Sequence, residues 1–280
     1  MKQAKLILKS GEVFNGTAPD WQKGAFCGEV VFTTGMTGYT ESLTDPSFAG
    51  QILVFTYPLI GNYGVMDKKS WESKKIQVAG VVVSEAAPFF SHGKSKNSLL
   101  HWLQQEGVPL IADVDTRTLT RMLRSKGVAL GAISDGASPK TFIDPNTRDL
   151  VAEVSTDKIE ELGSGAKTVI AVDCGMKENI MRNLKKFPWK IKKVPYNYDF
   201  TKEHYDAVFL SNGPGDPAMC KETIANIQAA MKMGKPIFGI CLGAQLMALA
   251  AGAKTYKLKF GHRGQNQPVL SLCDEKCFLT

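Results

Sequence analysis

Residues 239–243, Gly-Ile-Cys-Leu-Gly, contain the side chain best suited to covalent chemistry. An apolar run precedes this segment and an apolar helical pattern follows it, a context typical of a nucleophile elbow with cysteine in place of serine. Flanking glycines let a strand and a helix pass closely, and the helix start directs N–H groups and a positive dipole end at the sulfur. We expect Cys241 to be a nucleophile favoured as thiolate, with the backbone N–H of Leu242 donating to an oxyanion.

A second segment, residues 211–217 (Ser-Asn-Gly-Pro-Gly-Asp-Pro), follows another apolar run. Ligands of parallel sheets bind beyond the carboxyl ends of the strands, so N–H groups of this loop would complete an oxyanion hole and bind a substrate carboxylate. Each segment alone has an ordinary explanation: a small buried cysteine in a tight turn, or a loop rich in turn formers. Their occurrence after two successive strands is more specific than either alone.

The elements that would position these segments begin at residue 167. Near-continuous apolar strands then alternate with helices, which predicts a parallel sheet covered on both faces. The preceding part has many short β-rich runs and helices that end at Gly107 and Gly127. We therefore predict an α/β protein with an N-terminal β-rich mixed domain over residues 1–133, an interdomain connection over 134–166, and a doubly wound, mainly parallel-sheet domain over 167–280.

Composition excludes several classes of protein. The 280 residues are 44% hydrophobic and 22% charged, values of a folded globular chain and not of a disordered or fibrous one. No apolar run approaches the ~18 residues of a membrane span. The first residues lead directly into a strand pattern and the six cysteines lie far apart, so we expect a cytoplasmic protein with reduced thiols and no membrane partner.

Two further patterns have ordinary explanations. Lysines surround Phe187 and Trp189, a mixture that can bind nucleic acid, but a solvated helix end running into an edge strand explains it, and we expect no nucleic-acid partner. The net charge of +7 permits an acidic partner without requiring one. Cys273 and Cys277 lack a second pair of ligands, so we expect no metal site.

Residues 211–217 and 238–245 together resemble the triad-type (class I) glutamine amidotransferases. The likeness to one family of these, the small glutaminase subunits of carbamoyl-phosphate synthetase, runs from about residue 5 to the last residue. The segments that carry it are residues 34–47, 56–62, 115–121 and 259–268. Other amidotransferases of the type lack the N-terminal domain.

The resemblance implies a function for each matching residue. Cys241 would attack the side-chain amide of glutamine and form a γ-glutamyl thioester, releasing ammonia. Leu242 and Gly213 would donate backbone N–H groups to the oxyanion, and Ser47, Gly215 and Gln245 would hold glutamine together with them. Because Ser47 belongs to the N-terminal domain, the site would lie at the domain junction.

The resemblance also implies a partner. Ammonia would pass through a tunnel to a large subunit, or a fused synthetase domain, that makes carbamoyl phosphate from bicarbonate and two ATP in arginine or pyrimidine synthesis. We expect no cofactor in this chain, with ATP and magnesium on the large subunit.

The family activates its thiol with a histidine in a late His-Pro-Glu segment. This sequence ends at Thr280, short of such a segment, and none of its four histidines is followed two residues later by Glu. Three interpretations stay open: a fragment of a longer protein, a base-lacking subunit that binds and stabilises or regulates the large subunit, or His262 as a substitute base. An unrelated cysteine hydrolase, such as a peptidase, fits the elbow but leaves the N-terminal domain unexplained.

Overall fold

The computed structural model describes residues 1–136, 139, 141–263 and 268–279, which form two main β-sheets. Up to Ser134 the chain forms, in order, β1 (Lys2–Leu8), β2 (Val13–Ala18), β3 (Ala25–Thr33), α1 (Tyr39–Thr44), β4 (Gln51–Phe55), β5 (Leu59–Ile60), β6 (Gly80–Val82), β7 (Glu85–Ala86), α2 (Leu99–Glu106), β8 (Leu110–Ile111), α3 (Thr116–Lys126) and β9 (Ala129–Ser134). The remainder forms α4 (Leu150–Val154), β10 (Glu160–Leu162), β11 (Lys167–Asp173), α5 (Glu178–Leu184), β12 (Trp189–Pro195), β13 (Ala207–Leu210), α6 (Lys221–Lys232), β14 (Ile237–Gly239), α7 (Leu242–Ala250), β15 (Pro268–Leu270) and β16 (Cys277–Leu279).

The first sheet is mixed, in the order β2-β1-β9-β3-β4-β6-β8. β1 pairs antiparallel with β2 and β9, and β9 pairs antiparallel with β3, whereas β3, β4, β6 and β8 are parallel neighbours. Alternate residues of β4 point to opposite faces: Leu53 packs in the cluster of α1 and α2, and Ile52 packs in the cluster of α3. Helices therefore cover both faces, and the predicted β-rich mixed domain is confirmed.

The second sheet has the order β10-β12-β11-β13-β14 and is parallel except at β10. Ile170 and Val172 of β11 pack with α6 and α7, while Val169 and Ala171 pack with α5 on the opposite face. Helices on both faces of a mainly parallel sheet confirm the predicted doubly wound class. The carboxyl ends of β11, β13 and β14 lie at one edge of this sheet, and the site is built there.

Two expectations about this region change. β10, inside the predicted connection 134–166, pairs with β12 and so belongs to the second sheet, while the domain limits stay a prediction. The expectation that the lysine-rich segment forms an edge strand is wrong, because β12 lies between β10 and β11. Its lysines are paired with carboxylates: Lys190 with Glu161 at 2.9 Å, Lys192 with Glu203 at 2.8 Å and Lys193 with Asp173 at 2.9 Å.

Residues 254–263, which follow α7, return to the first sheet. The N–H of Val128 donates to the carbonyl of Lys259 at 2.9 Å, and the ring of Phe260 stacks on Phe32 with centroids 5.9 Å apart. Lys257 pairs with the buried Glu29 of β3. Asn146, near the beginning of the second half, also donates its side-chain N–H to Glu29 at 3.1 Å, so the second half contacts the first sheet at both places. Within the ranges described, no helix combines the length and apolarity needed to cross a membrane.

Candidate functional site

Cys241 lies in the turn between β14 and α7, with φ 52° and ψ −107°. A non-glycine residue rarely adopts such a backbone, and it persists only where the surrounding structure enforces it. Two hydrogen bonds do so here: the N–H of Ile240 donates to the carbonyl of Leu210 at 3.0 Å, and that of Gly243 to Ser211 at 3.1 Å. The end of β13 therefore holds the turn from both sides, and the exposed thiol stands at its tip.

Both glycines of the elbow are required by space. A Cβ at Gly239 would lie 2.5 Å from the carbonyl carbon of Gly243, and one at Gly243 would lie 2.4 Å from the carbonyl oxygen of Leu210. Contacts below 3.0 Å with backbone atoms cannot be relieved by rotating a side chain. The prediction that these glycines allow strand and helix to pass closely is confirmed.

The loop after β13 packs directly against the elbow. A Cβ at Gly213 would lie 2.0 Å from the carbonyl oxygen of Cys174 and 2.7 Å from Leu242, so only glycine fits between them. Gly215 has φ 81° and is exposed beside Leu150. Gln245, in the first turn of α7, is exposed, and its N–H donates to the carbonyl of Cys241 at 3.1 Å. The structure thus brings Gly213 and Leu242 into contact, with Gly215 and Gln245 on the flanking backbone.

Ser47 reaches this loop from the first domain. It lies in a short 3-10 turn that Asp45 caps by accepting the N–H of Ser47 at 2.8 Å. Asn212, the residue before Gly213, donates its side-chain N–H to the Ser47 hydroxyl at 2.9 Å. The expected position of Ser47 at the junction agrees with this bond, and its contact with glutamine stays a prediction.

Sequence reasoning missed three residues of the same network: Asp45, Lys177 and Asn212. The Nζ of Lys177 lies 2.7 Å from Oδ2 of Asp45, and its backbone N–H donates to Oδ1 of Asn212 at 3.1 Å. Residues 173–177 form a turn at the end of β11, and Asp173 caps it by accepting the N–H groups of residues 175 and 176. The segment also brings Lys177 to the site. The signal available in the sequence was the Asp-Pro-Ser turn at residues 45–47.

Burial raises the pKa of the Cys241 thiol above its ordinary value, and the charge of Asp45 raises it further. The N–H of Leu242 and the charge of Lys177 act in the opposite direction. The helix start thus acts on the sulfur in the predicted direction, but burial outweighs it. Burial thus opposes the predicted thiolate in this arrangement, and a thiolate at Cys241 stays a prediction.

No histidine of the described residues contributes to the electrostatics at this thiol. His92, His101, His204 and His262 are all exposed, and in the described parts of the chain none is among the groups that shift the pKa of Cys241. The same parts contain no cluster of three or more His, Cys, Asp or Glu arranged to hold a metal ion.

The comparisons with known proteins agree with the class that the elbow defines. Residues 170–278 match the family model for class-I glutamine amidotransferases. Residues 6–133 match the model for the carbamoyl-phosphate synthase small chain, CPSase domain. The two models together cover both halves of the chain.

Three curated relatives indicate which family of this class the chain is similar to. The arginine-specific small chain of carbamoyl phosphate synthase from Chaetomium globosum is 46% identical, covering 99% of this chain and 64% of its own length. The same protein of Yarrowia lipolytica is 43% identical, covering 99% of this chain and 67% of its own length. Human mitochondrial carbamoyl-phosphate synthase [ammonia] is 42% identical over 99% of this chain, which matches 19% of that longer protein.

The chain belongs to the family of carbamoyl-phosphate synthase small chains. It spans about two thirds of the length of the fungal small chains it matches.

Proposed function

We propose that this protein is the glutaminase component of a carbamoyl-phosphate synthase, acting on L-glutamine through Cys241. The observation that carries the proposal is the thiol at the tip of a strained elbow, with the Gly213 loop packed against Leu242 beside it. Such a site offers a nucleophile and adjacent backbone donors at the place where a tetrahedral intermediate would form.

The reaction has two balanced steps. The sulfur of Cys241 bonds to the side-chain carbonyl carbon of glutamine, the carbon–nitrogen bond breaks, and the thiol proton leaves with the nitrogen as ammonia. Water then attacks the γ-glutamyl thioester, releasing glutamate and restoring the thiol. The N–H groups of Leu242 and Gly213 stabilise the oxyanion in both steps, while Ser47, Gly215 and Gln245 hold the substrate.

Cysteine chemistry supports glutamine as the nitrogen source. One relative is named for ammonia, so membership of the family does not by itself select the source. A thiol held in an elbow has a use in amide hydrolysis and none in the capture of free ammonia. This favours hydrolysis by Cys241 over a subunit that only binds and stabilises its partner.

The ammonia passes, in this proposal, through a tunnel to a large synthetase chain that consumes bicarbonate and two ATP with magnesium. The human relative supports such a partner, because its small-chain region forms 19% of a longer synthase. Both fungal relatives are named arginine-specific, which supports arginine synthesis as one of the two pathways that the product would serve. We further propose a cytoplasmic location and no cofactor bound to this chain.

The test is glutamine hydrolysis by the full-length gene product, measured as glutamate and ammonia released. Cys241→Ser should lower kcat by about a thousand-fold or more, since a nucleophile cannot be replaced by its neighbours. Cys277→Ser, an exposed cysteine on β16, is the matched control and should leave the rate unchanged.

Three results would contradict the proposal. Hydrolysis that survives Cys241→Ser would place the reaction elsewhere. Cleavage of peptides in preference to glutamine would favour the peptidase interpretation. Synthesis of carbamoyl phosphate from ammonia but not from glutamine, in complex with a large chain, would favour the non-catalytic subunit.

A further inference from the structure

The two carboxylate oxygens of Asp45 bind different parts of the site. Oδ1 accepts the backbone N–H of Ser47 at 2.8 Å and lies 3.4 Å from the side-chain nitrogen of Asn212. Oδ2 lies 2.7 Å from the ammonium of Lys177. Asp45 is only 4% exposed, although it belongs to the first domain and both its distant partners belong to the second.

Capping of a turn explains only one of these three contacts, the bond from Ser47. Asp144 begins the same kind of Asp-Pro 3-10 turn, and its Oδ1 accepts the N–H of Asn146 at 2.9 Å. Asp144 is half-buried, and the hydrogen bonds that its side chain accepts within the described ranges come from Asn146 of the same turn. The ion pair with Lys177 and the contact with Asn212 are what distinguish Asp45 from an ordinary cap.

We propose that Asp45 is a positioning residue that fixes Ser47 and Lys177 in one geometry around Cys241 across the domain junction. The proposal rests on the proposed glutaminase function and adds to it a residue that touches neither glutamine nor the sulfur.

Because the carboxylate of Asp45 is buried, it requires compensating contacts. A carboxylate withdrawn from water needs a charged partner and hydrogen bonds to each oxygen, and Asp45 obtains them from both domains. Asn212 links the two ends, because its side chain donates to Ser47 while accepting the backbone N–H of Lys177. Displacement of the carboxylate therefore moves the serine hydroxyl and the ammonium together.

Other charged groups face the same junction. Glu72 accepts the N–H of Asn179 at 2.9 Å, and its Oε1 lies 3.4 Å from Arg182. The charges of Asp45 and Glu72 raise the pKa of Lys177 against the effect of its burial, so it stays an ammonium. Among these groups, Asp45 and Lys177 act on the thiol, with opposite signs.

The test compares two reagents on the full-length gene product. The glutamine analogue 6-diazo-5-oxo-L-norleucine must occupy the glutamine site before it labels Cys241, whereas iodoacetamide needs only a reactive thiol. Mass spectrometry follows both at Cys241 in wild type, Asp45→Asn and Asp144→Asn. The Asp144 variant makes the same chemical change at the same kind of turn, away from the ion pair.

We expect Asp45→Asn to slow analogue labelling about ten-fold or more, the usual effect of losing a hydrogen bond to a charged group. Iodoacetamide should instead react at lower pH than in wild type, because removal of the carboxylate charge leaves Lys177 unopposed beside the thiol. Asp144→Asn should match wild type with both reagents. If Asp45 had a purely structural role, its substitution would not slow labelling by the analogue while making iodoacetamide react at lower pH.

The outcomes separate this proposal from the one it rests on. Analogue labelling of Asp45→Asn at the wild-type rate would overturn the positioning role and leave the glutaminase function standing. Absence of analogue labelling in wild type would overturn the function itself.

If Asp45→Asn does not fold, the double variant Asp45→Asn/Lys177→Gln removes both charges and is measured in its place. Slow labelling of the double variant supports the proposal, and wild-type labelling overturns it.

Discussion

The strained backbone of Cys241 leads to a stability prediction that does not depend on catalysis. At φ 52° and ψ −107°, a side chain beyond Cα is unfavourable, and only glycine adopts such angles readily. Cys241→Gly and Cys241→Ala both remove the thiol, but only the glycine variant also removes Cβ. The difference in free energy of unfolding between them therefore measures the strain held by the elbow.

Two effects oppose each other in that difference. Residues in sparsely populated backbone regions cost about 1–3 kcal/mol, which the glycine variant recovers. Glycine also gains freedom in the unfolded chain, which costs the folded state about 0.4–1 kcal/mol relative to alanine. The strain is the larger effect, so we expect Cys241→Gly to be more stable than Cys241→Ala by about 1–2 kcal/mol.

Urea unfolding followed by circular dichroism, with the two variants in parallel, gives this number. Ala225→Gly, at an exposed position of α6, is the control and should lose about 1 kcal/mol, the ordinary cost of glycine in a helix. The diagnostic result is that the difference in free energy of unfolding has opposite signs at the two positions: glycine is more stable than alanine at residue 241, and alanine is more stable than glycine at residue 225. If Cys241→Ala is the more stable variant by the margin seen at residue 225, the backbone of the elbow holds no strain.

Three more predictions follow from the site and its supporting sheet. Lys177→Met should move iodoacetamide alkylation of Cys241 to higher pH, because the lysine charge lowers the thiol pKa; mass spectrometry of the Cys241 peptide measures the profile. Gly213→Ala should slow analogue labelling of Cys241 about a hundred-fold, because its Cβ would lie 2.0 Å from a carbonyl oxygen and overpacking of about 1–3 kcal/mol displaces the loop; unchanged labelling would place the donor elsewhere. Lys193→Met should destabilise the fold by about 3 kcal/mol in urea, because it leaves Asp173 buried without its partner. The pKa of Lys193 is raised by Asp173 despite burial, so this stabilisation is present below the ordinary lysine pKa and is lost as pH rises through the raised value; equal loss at all pH values would contradict it.

Local signals account for what the sequence predicted of the fold. The helices α2 and α3 begin where Ser98 and Asp115 accept N–H groups three residues on, and they end at glycines with positive φ. β9 had no comparable signal. It pairs with β1 and β3, which lie far away along the chain, so its place depends on contacts that no window of sequence contains. The same reason hid the pairing of β10 with β12, which turns the expected edge strand into an internal one.

The site divides in the same way. Cys241, Leu242 and Gly213 could be found because an elbow and a Gly-Pro-Gly loop each need particular residues at fixed spacing. Asp45 and Lys177 could not, because each looks ordinary in its own segment and gains its meaning from an ion pair across the junction. The ionisation of Cys241 also depends on burial, which the spacing of residues does not reveal.

The positions of the groups around Cys241 and the reactivity of its thiol thus have different origins. The fold holds the thiol, the backbone donors and Ser47 in place, yet burial raises the pKa of the thiol, and a thiol attacks an amide only after losing its proton. Hydrolysis at neutral pH therefore requires a base that takes this proton and returns it to the leaving nitrogen. Binding of a glutamine analogue depends on the positioned groups, whereas turnover depends in addition on that base. A variant can thus bind the analogue normally and still hydrolyse glutamine slowly, so both must be measured to distinguish a glutaminase from a subunit that only binds.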